Sequence, residues 1–328
     1  MVFTNNVGTG FRYLFGNTYE SATVTSVIIN SDDSMYVSGT FNKFNDNNVS
    51  GGIIKLFANG RVDNSFNLGG LGQYTTAGLA AIQPNGKLLV LGTFSSWNGT
   101  PFGYTRTMLR LESNGTLDNS FVTPPMNYNI SQIKLLANGN ILCIGGFYNV
   151  NGDVNLKRIM RLLPDGSVDT SFTTVQLSTD PSTIGVQSDG KIIIGGNFIT
   201  VDGNTVNRIA RLHPNGTYDN SFVGSISNAV GNSGTFRFGI TILSDDRIMV
   251  GGQTGNGALF RLLPNGAPDP SFQSRGFHSN ATVGPILPYN CSPNGLEEKY
   301  LIGGQFNSYD GSSNWFIVGI NNDGTRNI

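Results

Sequence analysis

The sequence is poor in charge, cysteine, histidine and tryptophan, and each shortage excludes something. Asp, Glu, Lys and Arg make up 12% of its 328 residues and nearly cancel, leaving a formal net charge of −1. Nucleic acid and anionic membrane surfaces are gripped by clustered Lys and Arg, so neither is an expected partner. Two cysteines cannot build a disulfide framework. Cys143 sits in an apolar run and reads as a buried thiol, while Cys291 lies in a Pro/Asn-rich loop. Two histidines leave little for zinc or triad chemistry, and no cofactor or metal is expected. No run approaches the ~18 apolar residues of a membrane-spanning helix, so membrane insertion is not expected. The opening Met1-Val2-Phe3-Thr4-Asn5-Asn6 lacks the basic start and apolar core of a secretory signal. The expectation is a protein that stays where it is made, or leaves by a route that reads no such signal. Sustained 3.6-residue apolar periodicity is missing too, which predicts almost no helix.

What the chain has in quantity is glycine, 44 residues of it, much of it in a repeat. A hairpin, Ile82-Gln83-Pro84-Asn85-Gly86-Lys87-Leu88-Leu89-Val90-Leu91-Gly92-Thr93-Phe94, returns at 135–147 and 186–198. Weaker copies lie at 29–41 and 242–254, and the last, 286–306, carries an insertion around 288–299. Corresponding glycines at 39, 92, 145, 196, 252 and 304 are spaced by 53, 53, 51, 56 and 52 residues. A second element, Leu-x-x-Asn/Asp-Gly-x-x-Asp-x-Ser-Phe, follows at 56–66, 111–121, 162–172, 212–222 and 262–272. Its sixth copy starts at Ile320, passes Asp323-Gly324 and stops at Asn327-Ile328 before any Phe. At the other end, Phe3 precedes Gly8-Thr9-Gly10-Phe11 much as Phe66 precedes Gly69-Gly70-Leu71-Gly72.

Apolar, β-branched runs bounded by Asn-Gly or Asp-Gly predict hairpins, since those residues accept the positive φ of type I′ turns. In the second repeat the strands are expected near 78–83, 87–92 and 107–111, with a short fourth after Asn114-Gly115. Four antiparallel strands per ~52 residues, six times over, predict an all-β, six-bladed β-propeller. The expected domain is single, 1–328, with residues 1–11 completing the last blade so that the two chain ends close the ring. Lys55, Arg110, Arg161, Arg211 and Arg261 are expected to pair with Asp63, Asp118, Asp169, Asp219 and Asp269, one scaffold ion pair per repeat. Each Phe of the Ser-Phe pair is expected in the wedge between blades.

The motifs Gly195-Gly196-Asn197-Phe198 and Arg211-Leu212-His213-Pro214-Asn215-Gly216-Thr217-Tyr218-Asp219-Asn220-Ser221-Phe222 resemble the delta-60 repeat family, a β-propeller domain of unknown function. The resemblance covers essentially the whole chain and implies a propeller, without implying an activity. The fifth repeat departs from it with Gln253-Thr254, and the sixth with its insertion.

In such a meander the tight one-to-two and three-to-four turns share one face. The long, variable segments share the other: 67–76, 95–104, 122–130, 148–155, 223–236 and 273–282. Variable loops on a rigid scaffold are where binding resides. On that side Trp97, Phe102, Tyr104, Tyr128 and Trp315 are the candidate ligand contacts, aromatics set among Asn, Ser, Thr and Gly that suit sugars or protein surfaces. The alternative for Phe102 and Tyr104 is packing beneath their own loop, and Tyr309 shares Trp315's ambiguity. Asp46, Asp153, Asp202 and Asp310 read as turn residues, with Ca²⁺ ligation as the alternative. His213 fills a turn slot held elsewhere by Ala58, Ser113, Pro164 or Leu263, and neither it nor His278 has a triad partner. Sialidase-like Asp boxes end in Trp, whereas these end in Phe. The expectation is therefore a non-enzymatic structural or recognition propeller. Its weakly charged, Asn/Gly/Ser/Thr-rich composition suits a bacteriophage virion component (tail fibre, spike or decoration module). Its partners would be other virion proteins or a host-surface glycan or protein. The alternatives are a glycan-active hydrolase or lyase, and an exported or extracellular bacterial surface domain.

Overall fold

The computed structural model describes residues 11–327, apart from 16–17, 21, 46, 50–51, 67–77, 98–99, 156–157, 225–238, 253–257, 274–275, 278–280, 291–297 and 315. Every regular element among them is a strand. Contacts cluster into two compact halves, Met1–Thr170 and Ser171–Ile328.

Six three-stranded antiparallel meanders follow the six repeats. In the N-terminal half the first is Thr23–Ile29, Met35–Thr40 and Ile53–Leu56. The second is Gly78–Ile82, Leu88–Trp97 and Thr100–Leu111, and the third Ile130–Leu135, Ile141–Gly145 and Ile159–Leu162. In the C-terminal half the fourth is Pro181–Val186, Ile192–Gly196 and Ile209–Leu212. Gly239–Ile242, Ile248–Gly252 and Ala258–Leu262 form the fifth, and Thr282–Asn290, Glu298–Gln305 and Ile317–Ile320 the sixth.

The middle strands of the second to fifth repeats are apolar on both faces where they are packed on both. Successive strand residues point to opposite sides. Accordingly Leu88 and Val90 join Tyr36, Ile53 and Leu79 in one core, while Leu89 between them joins Met108, Ile133, Cys143 and Met160 in the next. The C-terminal half repeats the device. Ile248 and Val250 pack with Ile193, Ile209 and Phe222, and Met249 packs with Ile286, Tyr300 and Ile302. Burying each such side chain contributes about 1.5–3 kcal/mol.

The structure corrects the four-stranded expectation. After the third strand each repeat makes one further bridge, Leu56↔Val62, Leu111↔Leu117, Leu162↔Val168, Leu212↔Tyr218, Leu262↔Pro268 and Ile320↔Arg326. The ladder stops there because Asp-x-Ser-Phe turns on itself. In the fourth repeat the Asp219 carboxylate takes the Ser221 N–H at 3.0 Å, and Phe222 N–H bonds the Asp219 carbonyl at 3.3 Å. No sheet among the described residues closes into a ring. Of the expected closing segment, 1–11, residues 1–10 lie outside the described residues, and Phe11 pairs with Phe44 in the first repeat rather than with the last.

Two kinds of turn separate the strands. At the described one-to-two turns a single residue has positive φ, a Gly in the second to fourth repeats, as at Gly139 (+83°), and Asp33 or Asp246 in the first and fifth; Asn138, before Gly139, accepts the Asn140 N–H through its side chain at 3.1 Å. The type I′ geometry expected there occurs instead at the two-to-three tips, at Asn151-Gly152, Asp202-Gly203 and Asp310-Gly311, where both φ values are positive.

Candidate functional site

The repeated charged residues form a latch. Arg211 Nε donates to Asp219 at 2.8 Å, the Ser221 hydroxyl donates to the same carboxylate at 2.6 Å, and the guanidinium lies 5.0 Å from the Phe222 ring centre. Its other nitrogen reaches into the next repeat, donating to the Pro264 carbonyl at 2.8 Å. Arg261 repeats the pattern with Asp269 and the Asn322 carbonyl, and Arg110 with Asp118 and the Pro164 carbonyl. Arg161 pairs with Asp169 at 2.7 Å and Lys55 with Asp63 at 3.1 Å. The guanidinium fork serves two repeats at once, which a lysine's single ammonium does less well. Burial raises the Asp269 carboxyl, but hydrogen bonds from Ser271 and Arg261 outweigh it and bring it down to about 2. Burial likewise opposes the same shift at Asp219, where Ser221 and Arg211 keep the carboxyl below its ordinary value.

On the loop side of the N-terminal half, the candidate aromatics separate into two groups. Residues 95–97 and 100–104 form a β-ribbon extending the second repeat, with Trp97 opposite Thr100 and Ser96 opposite Pro101, rather than the irregular loop expected. Trp97 and Phe102 are partly buried and pack against the core between the first two repeats. The Tyr104 hydroxyl donates to the Thr123 carbonyl at 2.6 Å. Arg106 stacks over Phe102 at 4.0 Å and lies 5.8 Å from the Tyr104 ring centre. These side chains hold the ribbon down.

Tyr128 is different. It is 57% exposed and meets Tyr148, itself 50% exposed, with ring centres 5.5 Å apart and planes tilted by 42°. Both stand on a hydrogen-bonded support. The Asn127 side-chain oxygen accepts the N–H groups of Tyr148 and Asn149 at 3.1 and 3.2 Å, and Asn151 N–H bonds the Pro125 carbonyl at 2.7 Å. Sequence reading missed Tyr148. The signal was present, since the slot after the strand-closing Phe holds Asn42, Ile199 and Asn307 in sibling repeats. Trp315 lies outside the described residues, as do His278, Asp46, Cys291 and the loop residues 67–76.

The strand that follows Tyr128 lines an open cleft of about 530 Å³. Thr25 and Ser26 enter it from the first repeat, Gly78 to Ala80 with Leu91 and Gly92 from the second, and Asn129 to Ile133 from the third. Asn129, next in sequence to Tyr128, lies 3.5 Å from the Thr93 hydroxyl. In the C-terminal half a cavity of about 580 Å³ is lined by Arg261, Glu298, Lys299, Asn322 and Asp323, among others. Its acids are engaged. Glu298 accepts the Tyr300 hydroxyl at 3.0 Å, and Asp323 accepts the Thr325 N–H at 2.9 Å. Burial, with Glu298 beside it, pushes the Tyr300 phenol up to about 12.

The remaining candidates serve the fold. Asp202 accepts the Gln176 N–H at 2.7 Å, Asp153 accepts the Asn155 N–H at 2.8 Å, and Asp310 sits at a type I′ tip. His213 closes its turn through its backbone, taking the Gly216 N–H at 2.8 Å. Cys143 is buried and free, and burial pushes its thiol up. No group of three or more His, Cys, Asp or Glu suited to a metal occurs among the described residues, and no helix there is long and apolar enough to cross a membrane.

Six consecutive meanders of this kind are the repeats of a β-propeller. The chain belongs to the family described as "Domain of unknown function (DUF5122) beta-propeller", which it matches at 31–66, 83–121, 136–172, 187–222, 243–272 and 299–327. That supports the expected propeller domain of unknown function, and the delta-60 name has no counterpart in the description. No curated protein matches the sequence. Among solved structures the chain is similar to the extracellular domain of a putative one-component system from B. thetaiotaomicron, at 14% identity and a TM-score of 0.53. The match covers 92% of this chain and 33% of that one, so the chain spans about a third of that protein's length. It is also similar to a catalytically inactive virginiamycin B lyase from Staphylococcus aureus with quinupristin, at 14% identity and a TM-score of 0.49, over 94% of this chain and 87% of that one. At such identity the likeness concerns the fold alone.

Proposed function

We propose that the chain is a non-enzymatic recognition propeller of a bacteriophage virion that meets a host-surface glycan or protein through its variable loops. The observation that supports this reading is the Tyr128–Tyr148 pair, two rings half in solvent on loops fixed by backbone hydrogen bonds. Rigid aromatics bring contact area at small entropic cost, and the Asn, Ser and Thr around them supply adaptable hydrogen bonds. The virion setting rests on composition, with an extracellular or bacterial-surface setting as the alternative. A mixed glycan array probed with the full chain and with Tyr128→Ala/Tyr148→Ala tests the binding role, and fractionation of particles tests the setting. Array binding lost in the double variant and co-purification with particles are expected. Binding indifferent to both tyrosines, or release of reducing sugar from a bound glycan, contradicts the reading. We also propose, from the phase of the repeats in the sequence, that residues 1–328 form one propeller whose ring residues 1–10 help to close. Deleting 1–10 is then expected to lower the melting temperature, and an unchanged melt would contradict closure.

A further inference from the structure

The cleft lined by Asn129, next in sequence to Tyr128, has a composition that selects its ligand. Every described residue lining it is uncharged: Thr25, Ser26, Asn129, Ser131 and Gln132 offer hydroxyls and amides, and glycine and aliphatic residues make up the rest. The first strands of three successive repeats converge on it, so the walls are sheet rather than loop. Its volume of about 530 Å³ falls within the ~300–1,000 Å³ typical of small-molecule sites.

We infer that this cleft, which Asn129 joins in sequence to Tyr128, binds a neutral oligosaccharide. The inference rests on the recognition role proposed above and names the ligand class. A sugar hydroxyl both donates and accepts, and so do Ser, Thr, Asn and Gln, whereas Lys, Arg and ionised Asp or Glu each do only one. A sugar's C–H faces are apolar and suit exposed tyrosine rings and the Gly78–Ala80 and Gly92 stretches. A uronic acid, sialic acid or sulfated sugar would lose hydration on entering, and no cation among the described residues lines the cleft to replace it.

Calorimetric titration of the full chain tests this with named probes. The neutral set is cellohexaose, maltohexaose, chitohexaose and mannohexaose, and the acidic set is a hyaluronan hexasaccharide and an α-2,8-linked sialic acid hexamer. At least one neutral probe is expected to bind saturably, and neither acidic one. Ser131→Glu and Asn129→Ala should each weaken that binding by about tenfold or more with an unchanged thermal melt. Two exposed positions are used so that one misfolded variant does not decide the matter. Binding confined to acidic probes, failure of all four neutral sugars, or neutral binding indifferent to both substitutions overturns the inference. If array binding to an acidic glycan or a protein still depends on Tyr128 and Tyr148, the recognition role stands while the ligand class falls. Loss of that dependence removes both.

Discussion

The ring of Phe222 lies against Gly266 of the following repeat, so closely that a Cβ built on the glycine would come within 2.6 Å of two ring carbons. Gly266 has φ of +85°, Val223 N–H bonds the Asn265 carbonyl at 3.0 Å beside it, and Arg211 covers the same ring while donating to Pro264. An aromatic side chain, a cation and the turn of the next repeat therefore interlock, and the motif that looked like local turn chemistry is where two repeats join.

This contact separates two costs of replacing a glycine. Gly203 has φ of +79° with nothing within 4 Å of a built Cβ, so Gly203→Ala meets backbone strain alone. It should cost about 1 kcal/mol. Gly266→Ala adds a clash with a buried ring and should cost about 2–4 kcal/mol. Urea denaturation of both variants checks the order, and equal losses would contradict the interlock.

Removing the arginine should be worse than removing its surface analogues. Arg211→Ala strands the buried Asp219 carboxylate and frees the Pro264 carbonyl, with an expected loss of about 3–5 kcal/mol. Arg211→Lys should recover part of it by pairing with Asp219, as Lys55 does with Asp63. Lys191→Ala, at the exposed pair with Asp189, should change stability by about 0–1 kcal/mol.

The latch also fixes how stability responds to acid. Asp269 is held at about 2, against about 3.9 for a free Asp. A carboxylate depressed in the folded state contributes stability that is present above its unfolded value and lost as pH falls through the folded one. Asp219 and Asp118 are lowered in the same sense. The denaturation midpoint should therefore hold steady down to pH ~4 and fall between ~4 and ~2. Asp269→Asn should flatten that fall, and a midpoint independent of pH over this range would contradict the latch.

Aromatics of the two groups should respond in opposite ways. Phe121 is 1% exposed, and Phe121→Ala should cost about 3–5 kcal/mol of stability. Tyr128→Ala should leave the melt almost unchanged and reduce binding.

Much of the fold could be read from the sequence because the strongest signals are local and recur. Leu88-Leu89-Val90 is apolar throughout since both faces of its strand are covered, and each one-to-two turn announces itself by its Asn/Asp-Gly or Asp-Asp pair. The missing fourth strand was harder to see, because Asp-x-Ser-Phe has strand-compatible residues but spends its hydrogen bonds on its own turn. Segment 95–104 looked like a loop because its Ser, Thr, Pro and Gly residues are turn formers, yet its alternation places Phe94, Phe102, Tyr104 and Arg106 where the ribbon can pack. The same packing decides the candidate site. Nothing local distinguishes Phe102, which meets the core, from Tyr128, which does not, because the difference lies in partners such as Arg106 that arrive through the fold. Tyr148 could have been found by comparing each repeat with its siblings and asking where an aromatic replaces Asn or Ile.

The most direct test of the recognition role is a paired measurement on Tyr128→Ala/Tyr148→Ala: its thermal melt, and its binding to whichever glycan or host-surface protein the unaltered chain retains. A melt within about 2 °C of the unaltered chain together with binding weakened by at least about tenfold is the predicted result. Undiminished binding, or a loss of binding that merely follows unfolding, would contradict it.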